Sequence, residues 1–430
     1  MPSPRRGLQS LIACAFFLMV ASGGLVTAPV FAASQIQVLH RFGGTDGEFP
    51  YDGKLIFDTA GNLYGTTYYG GDFSTGCGYG CGTVFKLTQA NGKWTQTVLH
   101  DFQDNGQDGY YPLGGLAIDA AGNLYGTTTQ GGANRYGIVF MLAPNANGSY
   151  SETVIYTFCS VASCLDGTVP EAGLILDAVG NLYGTTAGGG DVYGGVVFKL
   201  ARVGSGAWKE TVLYSLVGSY EGGSYAGLTF DKAGNLYGTT NGGGSCFSSG
   251  TVFKLTPRKH LDWYYTLLYK FSQGGKDGAC PFSAVTLDPQ GNVYGTTVLG
   301  GAYNAGVVYE LIPRKHGAWR EIVLHSFNSN DGAEPYAGLV RDASGNLYGT
   351  LTAGGQNGLG SIFKLTPTRH PGSEWGREKI LLNFNGNDGI FPYASLIFDA
   401  HGDLYGTTYY GGNLSDCDYQ GCGVVFKLSP

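Results

Sequence analysis

One passage of sequence is written seven times in this chain. The heptapeptide "GNLYGTT" begins at Gly61 and recurs at Gly122, Gly180 and Gly234. It becomes "GNVYGTT" at Gly291, "GNLYGTLT" at Gly345 and "GDLYGTT" at Gly402, at intervals of 54 to 61 residues. A chain of 430 residues would ordinarily divide into two or three domains, but a fixed period implies one architecture assembled from copies. Each copy has four apolar runs in a constant order; in the first they are Lys54 to Asp58, Asn62 to Thr67, Gly82 to Thr88 and Thr95 to Phe102. The runs are short, rich in β-branched and aromatic residues, and fenced by Gly, Asp, Asn or Pro, so each predicts a strand. The connection "DTAGN", varied elsewhere to "DAAGN", "DKAGN" and "DASGN", pairs a turn-capping Asp with a Gly suited to positive φ and predicts a hairpin.

A four-stranded unit cannot bury both sheet faces alone. Stacked radially, seven such units make an all-β, seven-bladed propeller, and blades covered on both faces explain runs that are apolar throughout. The repeat cores begin near residues 54, 115, 173, 227, 284, 338 and 395. The seventh copy stops at "VVFKLSP" without a fourth strand, while "QIQVLHRF" (residues 35–42) stands before the first copy and matches "TQTVLHDF". The N-terminal strand is therefore expected to complete the last blade, closing the ring so that no large edge is left unpaired at the seam. This brings "TTYYGG" at Thr66 and its near-copy at Thr407 into neighbouring blades.

The remaining ends and totals bound the setting. Residues 1–32 read as a signal peptide: Arg5 and Arg6, an apolar stretch too short for a membrane span, and "VFA" before Ala33. "LIAC" at Leu11 to Cys14 mimics a lipoprotein box, but the apolar region follows the cysteine; the arginine pair hints at twin-arginine export without its usual flanks. Cleavage leaves 23 basic and 32 acidic residues, a formal charge of −9, which argues against nucleic acid as a partner. No later run is long enough to span a membrane, so a secreted, periplasmic or extracellular monomer is expected. Eight of the nine cysteines survive cleavage, an even number suited to an oxidising compartment. The expected pairs are Cys77 with Cys81, Cys159 with Cys164, Cys417 with Cys422, and Cys246 with Cys280; reactive or metal-binding thiols are the alternative.

The motif "GLxxDxxGNLYGTTxxGG…GTVFKLTP" resembles the bacterial GloVer tandem-repeat family of secreted or surface proteins, over essentially the whole chain after residue 32. The resemblance implies export and a propeller-like repeat and brings no catalytic residues. Relatives of that family often end in a sorting or anchoring segment; the chain stops at Pro430 without one, which puts covalent surface anchoring in doubt. The "GLxxDxxGNLY" half is also similar to NHL-type propeller repeats, which mostly bind rather than catalyse.

In a sevenfold repeat, residues present in every copy are explained by the fold, and function belongs to the departures. Asp58, Asp119, Asp177, Asp231, Asp288, Asp342 and Asp399 are read as turn caps, the Tyr64 series as packing between blades, and the Gly65 series as room for an adjacent blade's aromatic ring. A second carboxylate ring, Asp46, Asp108, Asp166, Asp277, Asp331 and Asp388 with Glu221 in the fourth copy, could hold calcium, since hard cations want oxygen. One acid per loop favours a structural turn. His40, His100 and His325 share a position that holds Tyr156, Tyr214, Tyr269 and Asn383 elsewhere, a variability that suggests a tolerant outer edge. His260, His316 and His370 are expected at hairpin tips. No Cys/His metal spacing, nucleophile elbow or phosphate loop is present.

Second-to-third-strand and blade-to-blade connections share one face and hold nearly all the variation, including every cysteine beyond residue 32. On that face, only blades one and seven combine a Tyr-Tyr pair with an enlarged, cysteine-bracketed loop. Tyr68, Tyr69, Tyr409 and Tyr410, with Tyr51 and Tyr393 from the two "FPY" segments, are the candidate ligand-binding residues. Flat phenol rings at low entropic cost suit stacking on sugars, and coverage of the seam is the plainer alternative. The sequence favours a non-catalytic binder of carbohydrate or another surface ligand. A polysaccharide lyase or glycosidase would need two facing, non-repeated acids, for which Glu48, Glu171 and Glu334 are candidates; a structural envelope component is the third reading.

Overall fold

A computed structural model describes residues 35–430 apart from 205, 218–221, 243–249, 260, 261, 273–275, 369–374 and 377. The segment read as a signal peptide, Glu221, Cys246, His260 and His370 lie outside the described residues. The chain forms a seven-bladed β-propeller of four-stranded antiparallel sheets. In blade one the strands run outward from the axis as Ile56–Phe57, Leu63–Thr67, Thr83–Ala90 and Lys93–Asp101. The inner strand is shorter than the apolar run that predicts it: only two residues pair in each blade, because the blades converge toward the axis there.

Ring closure is as expected. Gln35–Arg41 pairs antiparallel with Val424–Ser429 of blade seven, from Gln35 opposite Ser429 to Arg41 opposite Val424, with a bulge at Leu39. The core is distributed rather than central. Seven buried apolar clusters each join two adjacent blades, one to a joint. At six joints an aromatic ring at the end of one outer strand meets, edge to face, a ring on the third strand of the next blade: Phe42 on Phe85 at 5.2 Å, Phe102 on Phe140 at 5.1 Å, and so around to Phe384 on Phe426 at 5.4 Å. Leu216 replaces the first ring at the joint of blades three and four.

The Gly65 series has a different cause from the one read in the sequence. Gly65 stands directly opposite Phe85 on the third strand of its own blade. A Cβ there would meet the Phe85 ring at 2.6 Å, and the same crowding recurs at Gly184 with Phe198. The glycine lets the blade's own ring lie flat across the strand and present its face to the neighbouring blade.

The Asp58 series is a set of turn caps. Asp58 Oδ1 accepts from the backbone N–H of Ala60 and Asn62, and Oδ2 accepts from Asn62 Nδ2 and the Tyr64 hydroxyl. The ring of Tyr64 packs among blade-two residues, between the two blades. The outer-edge histidines are not idle: His40, His100 and His325 lie 2.9, 3.1 and 3.3 Å from Asp46, Asp108 and Asp331. Tyr156 and Tyr269 donate to Asp166 and Asp277 from the same position. In these five blades what looked like tolerance is a hydrogen bond that either ring type can make to the loop aspartate, whereas Asn383 of blade six instead accepts from the Gln356 N–H.

Candidate functional site

Two hollows open on the loop-rich face, and both arise where the repeat is broken. The first lies at the mouth of the central channel. Six of the seven blades enter the channel through a non-glycine residue held at positive φ, among them Phe49 (55°), Val169 (55°) and Glu334 (58°); in blade four Gly223 takes the place without it. Such values are rare outside glycine. They are held because the strained N–H donates to the preceding blade, as Phe49 does to Cys422 O at 2.9 Å and Tyr111 to Cys81 O at 2.9 Å. Two residues further on, the chain points one side chain per blade at the axis.

Those side chains are Tyr51, Tyr225, Phe282, Tyr336 and Tyr393, with Leu113 and Glu171 completing the ring around a cavity of about 140 Å³. The aromatic five are contiguous: Tyr51 stacks on Tyr393 at 4.6 Å, Tyr393 meets Tyr336 at 5.2 Å, Tyr336 meets Phe282 at 5.3 Å, and Phe282 meets Tyr225 at 5.5 Å.

An eighth residue, Asp52, also lines the mouth, and it is there because blade one carries one residue more than blade seven between "FPY" and "LIFD". The insertion disturbs the joint. At six joints a second-strand threonine hydroxyl donates to a carbonyl of the next blade, from Thr66 to Gly114 O, Thr127 to Ala172 O, Thr185 to Ala226 O, Thr239 to Ser283 O, Thr296 to Ala337 O and Thr350 to Ala394 O. Thr407, the seventh, is buried with no partner for its hydroxyl.

Among the described residues neither Asp52 nor Glu171 has a hydrogen-bonding or ionic partner. Burial pushes the Glu171 carboxyl up to about 7. Burial, and then the charge of Glu171, hold Asp52 well above the usual carboxylate range. Deeper in the channel Lys54 lines the wall, its amine pushed down by burial.

The second hollow is a cleft of about 340 Å³ on the seam between blades one and seven, walled by Phe49, Tyr69, Tyr79, Tyr409 and Tyr410, with Glu48 buried among them and Asp418 and Gln420 exposed at its margin. Phe49 stacks on Tyr409 at 4.9 Å and meets Tyr410 edge-on at 5.0 Å. The loops are fastened by paired backbone bonds, Glu48 with Tyr69 and Ile390 with Tyr410. Burial, and next the charge of Asp418, push Glu48 up to about 7.

Disulfides pin the two loops that bring the outer wall. Cys77–Cys81 encloses Tyr79 and Cys417–Cys422 encloses Asp418 and Gln420; the latter loop holds three consecutive residues at positive φ, Cys417, Asp418 and Tyr419. Cys159–Cys164 is the third pair. The fourth expected pair, Cys246 with Cys280, includes a residue outside those described. Non-reducing peptide mapping should return the three linked peptides; free thiols or exchanged partners at these six positions would overturn the pairing.

The six tyrosines singled out in the sequence therefore divide between the hollows. Tyr69, Tyr409 and Tyr410 wall the cleft, Tyr51 and Tyr393 the mouth, and Tyr68 lies between, 4.4 Å from Tyr69 and 6.3 Å from Tyr51. Of the three acids singled out, Glu48 belongs to the cleft, Glu171 to the mouth, and Glu334 sits close enough for its charge to raise Tyr336 and Tyr393. Asp52, Tyr225, Phe282, Tyr336, Tyr79 and Gln420 escape the sequence reading. For Asp52 the signal was present, as the single inserted residue.

A family model described as the Gloeobacter/Verrucomicrobia repeat matches residues 19–175, 73–286 and 249–430. The chain belongs to that family. No curated protein sequence matches it. Among solved structures, an oxidoreductase described as a glucose dehydrogenase, from Thermus thermophilus, matches with 15% identity and a TM-score of 0.41 over 92% of this chain and 100% of that one. At that similarity the match carries nothing about chemistry. The Gloeobacter/Verrucomicrobia repeats here supply the scaffold, and both hollows depend on residues that depart from it. Three disulfides point to an oxidising environment for the protein, and no described helix is long and apolar enough to cross a membrane.

Proposed function

We propose that this propeller is an exported, non-catalytic binding protein that takes a carbohydrate in the cleft between blades one and seven. The observation that carries the reading is the cleft itself. Its volume falls within the roughly 300–1,000 Å³ of small-molecule sites, its walls are aromatic, and a few polar groups stand beside them, Glu48 buried and Asp418 and Gln420 at the exposed margin. That is the arrangement a sugar ring meets best, with C–H faces against phenol rings and hydroxyls toward Glu48, Asp418 and Gln420. Disulfides and paired backbone bonds fix the loops before any ligand arrives, which lowers the ordering cost of binding. The signal-peptide reading of residues 1–32 and the disulfides support export.

Replacing Tyr69 and Tyr410 together by Ala removes two stacking faces, at about 1.4 kcal/mol each a loss of roughly 100-fold in affinity. Glycan-array screening followed by calorimetry on the strongest hit should show that loss, with the folded state retained by circular dichroism. Binding that survives the double substitution would move the ligand elsewhere.

The enzyme reading has one observation in its favour, the convergence of Asp52 and Glu171 at the channel mouth. A glycosidic bond needs a sugar on each side of it, however, and a cavity of about 140 Å³ is small for two. Release of reducing ends from a polysaccharide panel, lost in Asp52→Asn, would establish hydrolysis in place of simple binding.

A further inference from the structure

Asp52 and Glu171 play no part in the cleft. They stand at two of the places where the mouth departs from its ring of aromatic and apolar side chains, and Asp52 is delivered by an insertion that leaves the Thr407 hydroxyl buried and unpartnered. Two half-buried carboxyls crowded by aromatic rings and without a protein partner are costly to ionise. A partner from outside the protein would remove that cost.

We propose that the channel mouth is a binding site for a small organic ammonium group, with Asp52 and Glu171 as counter-charges and the rings of Tyr51, Tyr225, Tyr336 and Tyr393 as its cage. Three features select that chemistry. Tyrosine faces carry the negative end of the ring quadrupole and attract a cation that has little hydration to lose. Apolar walls suit alkyl substituents, whereas calcium or magnesium would want six or more oxygens, which two carboxyls and a ring of aromatic side chains do not supply. The cavity, about 140 Å³, is close to the roughly 150 Å³ that admits a benzene-sized guest, and so to a trimethylammonium head. The channel's own cation, Lys54, lies deeper and makes no ion pair with either acid among the described residues.

Binding such a cation requires the two carboxyls to ionise, so it should release protons at neutral pH and strengthen between pH 5 and pH 8. The other titratable groups around them are Tyr51, Tyr68, Tyr225, Tyr336 and Tyr393, each held above the ordinary phenol range by burial, and these stay neutral throughout that interval; Glu334, beside Tyr336 and Tyr393, is a further acid and adds no opposing positive charge. Lys54, the nearest amine, is lowered by burial; it makes a fixed or falling contribution of positive charge as pH rises and does not oppose the trend.

The test is titration calorimetry of the whole protein with choline, with tetramethylammonium, and with 3,3-dimethylbutan-1-ol as the neutral isostere of choline, at pH 5 and pH 8. Both cations should bind saturably, at least ten times more tightly than the alcohol and more tightly at pH 8. The Asp52→Asn Glu171→Gln variant should bind choline no better than the alcohol while melting no lower than the parent, since it removes buried charge. Glucosamine against glucose tells whether the ammonium can be part of a sugar. Equal affinity for choline and the alcohol, absence of saturable choline binding, or choline affinity unchanged in the double variant would each overturn the site. The proposal does not rest on the seam cleft, and the Tyr69→Ala Tyr410→Ala variant should retain choline binding.

Discussion

Deleting residues 33–42 should leave a protein that no longer unfolds cooperatively and that aggregates on size-exclusion chromatography. Gln35–Arg41 is the outer strand of blade seven, so its loss bares the backbone of Val424–Ser429, an apolar edge with nothing to cover it. The damage extends across the seam. Phe42 is fully buried, donates its N–H to Gly423 O at 3.1 Å, and places its ring against Phe85 of blade one. Truncating such a ring alone costs about 3–5 kcal/mol, a large part of the roughly 5–15 kcal/mol that holds an ordinary domain together. Leu39, Val38 and Ile36 leave with it.

A second chain separates the loss of an edge strand from the loss of an unrelated N-terminal segment. Gln35 lies opposite Ser429, as Tyr150 lies opposite Pro144 in blade two, where residues Asn145 to Ser149 form the connecting turn. Moving residues 35–42 to follow Pro430 through a copy of that turn should restore the monomer and its melting transition. A deletion that melts and elutes like the parent would mean the ring closes without this strand.

The closure was legible because it rests on counting: seven inner hairpins, six complete outer strands after them, and an orphan at the other end. Periodicity conveys which residues are alike, and so it conveys the turn caps and the inter-blade tyrosines. It does not convey which blade a neighbour belongs to, and so the ring beside Gly65 was assigned to the wrong one. The channel mouth was only partly legible. Non-repeated acids drew attention to Glu171, but Asp52 reaches the mouth through a shift in register of one residue, which matters only when the equivalent chain of the next blade is laid beside it. The outer strands hid their chemistry for another reason. One position there, opposite the last leucine of the third strand, holds Ile36, Gln96, Glu152, Glu210, Tyr265 and Glu321, and Glu378, the residue before the outer strand of blade six, continues the same register. It looks like a solvent-facing site of free choice, yet most of these side chains turn into the joint.

Those glutamates should make the protein more stable in mild acid than in mild base. Glu152, Glu210, Glu321 and Glu378 face Asp108, Asp166, Asp277 and Asp331 of the joint loops, and each glutamate has a buried Oε1 without a hydrogen-bond partner. Burial first, and then the facing aspartate, push Glu152, Glu210 and Glu321 up to about 7 and Glu378 to about 8. In the unfolded chain they release their protons near 4.5. The folded state therefore holds protons that the unfolded state has lost, and stability falls as pH rises from about 4.5 through 8. His100, raised after the opposing effect of burial by its bond to Asp108, acts in the same direction; His325, lowered by burial, acts in the other and offsets it. The turn-cap aspartates such as Asp58, lowered by hydrogen bonds that outweigh burial, lose their contribution only as pH falls below the ordinary aspartate range. The optimum should thus lie near pH 4–5. Discounted for partial exposure to about 1 kcal/mol per glutamate, the four together amount to roughly 5 °C in melting temperature for a chain of this length, to be seen by calorimetry between pH 5 and pH 8.5. Replacing all four by Gln should reduce that slope to the part left by Glu48, Glu171 and Asp52, which burial also raises, and raise the melting temperature at pH 8.5, because an amide needs no deprotonation to leave the joint neutral. A parent protein that melts higher at pH 8.5 than at pH 5 would show that these carboxyls are ionised and served by water at the joints.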